Sequence, residues 1–180
     1  MNKAVLVVTS HMTSAFLKDF KNSVRRYNNK YPIIYLENTP ENNQYEMLAI
    51  NKGIEWELDE FVVLHDTCII KDYKLFDMFF YNSGRSVSIS PNFLSYLGKF
   101  RLETLLNIAI PKVSTKAEAV SAEDKFLKEY ISKEPKHLVL FPDFDDNFKW
   151  MTKHGRMNMV LENKYLIKYK GCWHPSMITN

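Results

Sequence analysis

The chain has 180 residues, 46% of them hydrophobic and 25% charged, with a formal net charge of +3. That length suits one domain around one substantial core, and the composition excludes an intrinsically disordered chain. The charge is too small to mark a nucleic-acid binder by itself. Two cysteines, Cys68 and Cys172, make neither a disulfide framework nor a zinc pattern.

The first element is AVLVV (4–8), a continuous apolar run ending in Thr9-Ser10, as expected for a strand buried on both faces. No small-residue cleavage site follows it, and no stretch approaches the length of apolar sequence a membrane helix needs. A cytoplasmic location is therefore expected. Phe16, Leu17, Phe20, Val24 and Tyr27 recur at helical spacing, with Thr13 or Ser14 as cap. YPIIYLEN (31–38) is a second apolar strand. Thr39-Pro40 then reads as an N-cap with proline at the first helical position, opening a helix over about residues 41–57 that buries Tyr45, Leu48 and Ala49. EFVVLH (60–65) is the third strand.

Strand, helix, strand, helix, strand predicts right-handed crossovers and a parallel sheet. Further on, DYKLFDMFFYN (72–82) predicts a short helix, SVSIS (86–90) a strand, and FRLETLLNIA (100–109) a helix. Another helix is expected within 114–133, HLVLF (137–141) as a strand, and strand-like NMVL and KYLIKYK in the tail. From Met151 to the end, Lys153, Arg156, Lys164, Lys168 and Lys170 face the single acid Glu162, which suits either an anionic ligand or a solvated face. The expected fold is a three-layer α/β/α sandwich with a mostly parallel central sheet, as one domain over 1–180. Residues about 1–70 form its nucleotide-binding half and about 85–180 its acceptor-side half. In such sheets ligands lie beyond the carboxyl ends of the strands, which puts Thr9, Ser10, Glu37, Asn38 and Asp66 on one rim. Neither G-x-G-x-x-G nor G-x-x-x-x-G-K-[ST] occurs, so a dinucleotide fold and a P-loop enzyme are disfavoured.

Residues 42–70 resemble the nucleotide-sugar half of GT-A-fold glycosyltransferases, in particular the family-2-like enzymes. The carriers of the likeness are Ala49-Ile50-Asn51-Lys52-Gly53-Ile54, and then His65-Asp66-Thr67 at a strand end. In the same order follow Gly98-Lys99-Phe100-Arg101, the Glu123-Asp124 pair taken to open a helix, and Trp173-His174. The resemblance implies transfer of a sugar from a nucleotide-sugar donor, in the first place a UDP-sugar, to an acceptor hydroxyl. It implies Mn²⁺ or Mg²⁺ shared between Asp66, His174 and the donor diphosphate. It also implies a carboxylate base at Asp124 with Glu123, giving inversion at the sugar. Donor contacts would come from Thr9, Ser10, Glu37, Asn38, Asn51, His65, Asp66 and Arg101, with His11 near the base or ribose. The acceptor is left open between a glycan, a protein and a modified DNA base, the last as in compact phage-encoded transferases.

This chain departs from the family where a D-x-D motif should stand, because neither His65-Asp66-Thr67 nor Asp66-Thr67-Cys68 has a second carboxylate. A literal D-x-D, Asp143-Phe144-Asp145, falls too late in the order and reads first as an acidic loop. Asp66 could equally cap a strand end, and Ser121-Ala122-Glu123-Asp124 could equally be a capping box. A non-catalytic nucleotide-sugar-binding module and a nucleotidyltransferase are the alternatives to a transferase of sugars.

Overall fold

A computed structural model describes residues 2–10, 14–27, 30–91, 97–144, 146, 148–153 and 156–170. The first half follows the expected alternation: β1 (Lys3–Ser10), α1 (Ser14–Tyr27), β2 (Ile33–Asn38), α2 (Met47–Glu55) and β3 (Glu60–His65). Then come β4 (Cys68–Ile70), α3 (Lys74–Phe80), β5 (Val87–Ser88), β6 (Leu97–Arg101) and α4 (Leu102–Leu105). The long α5 (Lys116–Lys133), β7 (Leu138–Val139), β8 (Phe148–Lys153), β9 (Arg156–Glu162) and β10 (Leu166–Lys170) complete the chain.

The central sheet has the order β2-β1-β3-β6-β5-β7. β1 is parallel to both β2 and β3, β6 is antiparallel to β3 and β5, and β5 is parallel to β7. β6 is therefore the one reversed strand of the six. From β1 the chain steps to β2 on one side and then crosses to β3 on the other. Right-handed crossovers in opposite directions put α1 and α2 on opposite faces. One core holds Val5, Val7, Val62 and Leu64 against Phe20 and Val24 of α1 and Phe76 and Phe79 of α3. The other holds Leu6, Val8, Phe61 and Phe100 against Ile50 of α2 and Phe126 and Tyr130 of α5. This is the expected three-layer α/β/α sandwich. A second sheet, β4-β10-β9-β8, joins the first core through Cys68, Ile70, Leu161 and Leu166.

Gly53 fits α2 to the sheet. A Cβ there would collide with the ring of Phe61, so only glycine lets helix and strand approach this closely. Phe61 in turn stacks on Phe100, with centroids 5.9 Å apart, and Phe100 leads on to Phe126 and Tyr130. Truncating a buried ring of such a row to alanine costs about 3–5 kcal/mol.

Four local expectations are corrected. The helix expected from Pro40 begins at Met47 instead, because residues 42–44 take no regular structure and Tyr45-Glu46 form a turn. The stretch expected as a helix from Phe100 is strand through Arg101, and only Leu102–Leu105 is helical. Phe100 is held in that strand by its place beside Phe61 in the ladder. Ser121 is not a cap, since α5 starts five residues earlier at a full capping box between Thr115 and Glu118. Glu123-Asp124 thus lies inside α5 rather than at its opening. Finally, β5 and β7 are two residues each, shorter than the runs that predicted them.

Candidate functional site

The carboxyl ends of β1 and β3 lie side by side at one end of the central sheet, where open α/β sheets take their ligands. The ladder that closes there pairs Val8 with His65, and the Asp66 amide donates to the Val8 carbonyl at 3.2 Å. Asp66 and Thr67 form the turn by which the chain passes from the central sheet into β4 of the second sheet. His65, Asp66 and Thr67 are all buried. β10 runs beside this turn: Lys168 pairs with Cys68 in register, and the Tyr169 amide donates to the Thr67 carbonyl at 3.0 Å. Lys168 is itself buried and donates from Nζ to Thr67 Oγ1.

The next layer comes from the loop before α2. Glu46 occupies the N-cap position of that helix without capping it. Its carboxylate instead lies 3.3 Å from His65 Nε2. Burial pushes the His65 imidazole below its ordinary range; the Lys168 ammonium pushes the same way and Glu46 opposes it. Burial also raises the Cys68 thiol to about 11, so this cysteine is an inert core residue rather than a nucleophile.

Tyr45 is the residue that sequence reasoning placed least well. It is not in the helix but has φ of +53°, a left-handed conformation that bulky residues rarely adopt. Buried Asn38 maintains it, since Asn38 Oδ1 accepts from the Tyr45 amide at 3.1 Å and Nδ2 donates to the Tyr45 carbonyl at 3.3 Å. The ring stands edge-on to His65, centroids 5.0 Å apart, and Lys116 Nζ lies 5.0 Å from its centre. Burial first, and then the charges of Glu46, Glu123 and Asp66, raise the phenol well above its ordinary range. The charges of three carboxylates therefore bear on one phenol.

The expected residues divide accordingly. Thr9, Ser10, Asn38, His65, Asp66 and Glu123 converge at this end of the sheet. Thr9 donates from Oγ1 to the Leu36 carbonyl at 3.3 Å, Ser10 pairs with Asn38 in the ladder, and Glu37 is exposed beside them. Asn51 donates to Gln44 at 3.1 Å and so bears on the loop that carries Tyr45. Asp124 projects away from the cluster: it is 77% exposed and paired with Lys128 one turn along α5. Phe144, the middle of the late D-x-D, is a core residue. His11, Asp145, Trp173 and His174 lie outside the described residues.

Arg101 corrects its expectation most clearly. β6 is antiparallel, so Leu97 pairs with Leu64 near the carboxyl end of β3 while Arg101 pairs with Glu60 at the far end of the sheet. There Arg101 bonds Glu134 at 3.2 Å and its amide donates to the Tyr130 hydroxyl, while Glu134 also accepts from Ser86 and Thr104. Nearby, buried Lys99 and Glu60 are 3.3 Å apart, and burial lowers the Lys99 pKa to about 8.

The donor set can be tested against the expected divalent cation. A hard cation wants several oxygens around it. Among the described residues, no group of three or more His, Cys, Asp or Glu is arranged to hold one. The Thr67 hydroxyl, beside Asp66, already accepts from an ammonium. Of the two residues expected to hold that cation, Asp66 alone is among the described ones, with no other His, Cys, Asp or Glu grouped with it to complete a site there.

No family model and no curated protein matches this sequence. Among solved structures it is similar to a cytidylyltransferase from Leptospira borgpetersenii, at 16% identity over 82% of this chain and 79% of that one, TM-score 0.49. It is also similar to a glycosyltransferase involved in glycosylation of the major capsid of PBCV-1, at 12% identity over 78% and 83%, TM-score 0.49. At these TM-scores the likenesses assign neither a family nor an activity to this chain.

Proposed function

We propose that this chain is a GT-A-like glycosyltransferase that takes a sugar from a nucleotide-sugar, in the first place a UDP-sugar. The supporting observation is the packing of Tyr45, His65 and Glu46 beside Asp66 at the carboxyl ends of β1 and β3, with the charges of Asp66, Glu46 and Glu123 all felt at Tyr45. The nucleoside lies over Thr9, Ser10 and Glu37, and the sugar diphosphate lies at the His65-Asp66-Thr67 turn. Glu123, rather than its exposed neighbour Asp124, receives the acceptor proton. Glu123 is half-buried and its charge is felt at Tyr45, whereas Asp124 is exposed and paired with Lys128.

The acceptor alcohol oxygen attacks the anomeric carbon as that carbon's bond to the diphosphate oxygen breaks. The bonding pair leaves with the diphosphate, the hydroxyl proton passes to the Glu123 carboxylate, and the sugar configuration inverts. Asn38 keeps Tyr45 in its left-handed conformation and so shapes the wall between donor and base. Neutral His65, packed between Tyr45 and Glu46, supplies a dry floor beneath the diphosphate.

A donor-consumption assay over a panel of nucleotide-sugars tests this reading. Wild type should release nucleoside diphosphate from at least one donor, and Glu123→Gln should not. If no donor is consumed while UDP still raises Tm, the protein is a binding module and the transferase reading fails.

A further inference from the structure

We propose that the Lys168 ammonium, rather than a divalent cation, neutralises the donor diphosphate at the Asp66 turn. This rests on the nucleotide-sugar reading above and goes beyond it by assigning the cation of the reaction to a side chain.

Position comes first. Lys168 sits opposite Cys68 in the β4–β10 ladder, and its Nζ reaches back to Thr67 Oγ1. Thr67 and Cys68 are the two places where a second carboxylate would complete a D-x-D motif around Asp66. One of them is an apolar core residue and the other holds an ammonium. The charge balance is conserved by this exchange. A divalent cation with one extra carboxylate adds one net positive charge, and a lysine beside a neutral threonine adds the same.

Burial is the second argument. Lys168 is only 4% exposed, in a class of side chain that is almost never buried unless paired. Taking an ammonium out of water is costly, and the cost is recovered only near negative charge or good acceptors. Asp66, at 3% exposure, adjoins the residue to which Lys168 is tied, and the ammonium's charge is felt at both His65 and Cys68. Lysine is an established point-charge ligand for phosphate, and such charge-assisted bonds are roughly twice as strong as neutral ones. As the diphosphate leaves with its extra negative charge, a fixed ammonium in a water-poor site stabilises it without reorganising.

Binding of UDP and of uridine, measured by calorimetry on the whole chain with Mn²⁺ and with EDTA, tests the proposal. Wild type should bind UDP equally well in both. Lys168→Met should weaken UDP by about tenfold to a hundredfold, the worth of a charged hydrogen bond, and leave uridine unchanged. Thr67→Val, which removes one acceptor of the ammonium while keeping its charge, should weaken UDP less than Lys168→Met does. A UDP affinity that EDTA abolishes in wild type overturns the proposal, even if neither variant folds. So does an unchanged UDP affinity in Lys168→Met, or an equal loss of UDP and uridine. If wild type binds no nucleoside diphosphate under either condition, the nucleotide-sugar reading itself is what has failed.

Discussion

Asn38 grips Tyr45 at both its amide and its carbonyl, seven residues along the chain, and so fixes the left-handed turn that brings the Tyr45 ring against His65. A side-chain amide is suited to this because it offers an acceptor and a donor at once. Replacing it with alanine strands the Tyr45 amide, while the Tyr45 carbonyl keeps the Leu48 amide as donor. We expect Asn38→Ala to lose about 1–3 kcal/mol, the cost of one unsatisfied group. Urea denaturation checks the stability. Asn38→Asp, which keeps the acceptor but not the donor, should fall between alanine and wild type.

Gly53 offers a test of packing alone. Gly53→Ala gains in helix propensity but drives a methyl into the Phe61 ring. We expect a net loss of about 1–3 kcal/mol, the usual cost of overpacking. Adding Phe61→Leu should recover part of the loss, and a double-mutant cycle would show the coupling. Simple addition of the two single losses would show that Gly53 matters for some other reason.

The adjacent acids of α5 should behave oppositely. Asp124→Asn removes only an exposed ion pair, so stability and turnover should stay within about 0.5 kcal/mol of wild type. Glu123→Gln should leave UDP binding intact and abolish transfer. Comparing kcat of the two variants with the donor that wild type consumes decides the matter. Equal turnover in both would remove Glu123 from the chemistry.

His137 gives the fold an acid-side sensitivity. Its Nε2 lies 2.9 Å from Ser88 Oγ, and burial holds its pKa below 6.5, opposed by Glu134. Between the lowered folded pKa and 6.5 the unfolded chain binds more protons than the folded one. Stability therefore declines as pH falls through 6.5, by up to about 1.4 kcal/mol per pH unit for one proton. Denaturation midpoints at pH 7.5, 6.5 and 5.5 should fall in that order. His137→Gln should show a shallower decline, and an identical one would exclude His137 as a contributor.

Much of this architecture is legible in local pattern. The runs at 4–8 and 61–64 are apolar without alternation because both faces of the central strands β1 and β3 are covered, and that alone implies parallel strands between helices. Asp66 stands out because polarity returns where such a strand ends, and the order of β1, β2 and β3 places it on the same rim as Thr9 and Ser10. What sequence could not settle depends on contacts distant along the chain. A strand's direction leaves no mark on its composition, so β6 reversed and carried Arg101 to the far edge without warning. The pair Glu123-Asp124 reads identically until the rotation of α5 is known, and then one acid faces Tyr45 while the other faces water. Lys168 looked like one lysine of a basic tail. Only the pairing of β10 with β4, in which Lys168 meets Cys68 from 100 residues earlier, buries its ammonium beside the Asp66 turn, because ladder partners are chosen by the shared core and not by neighbours in sequence.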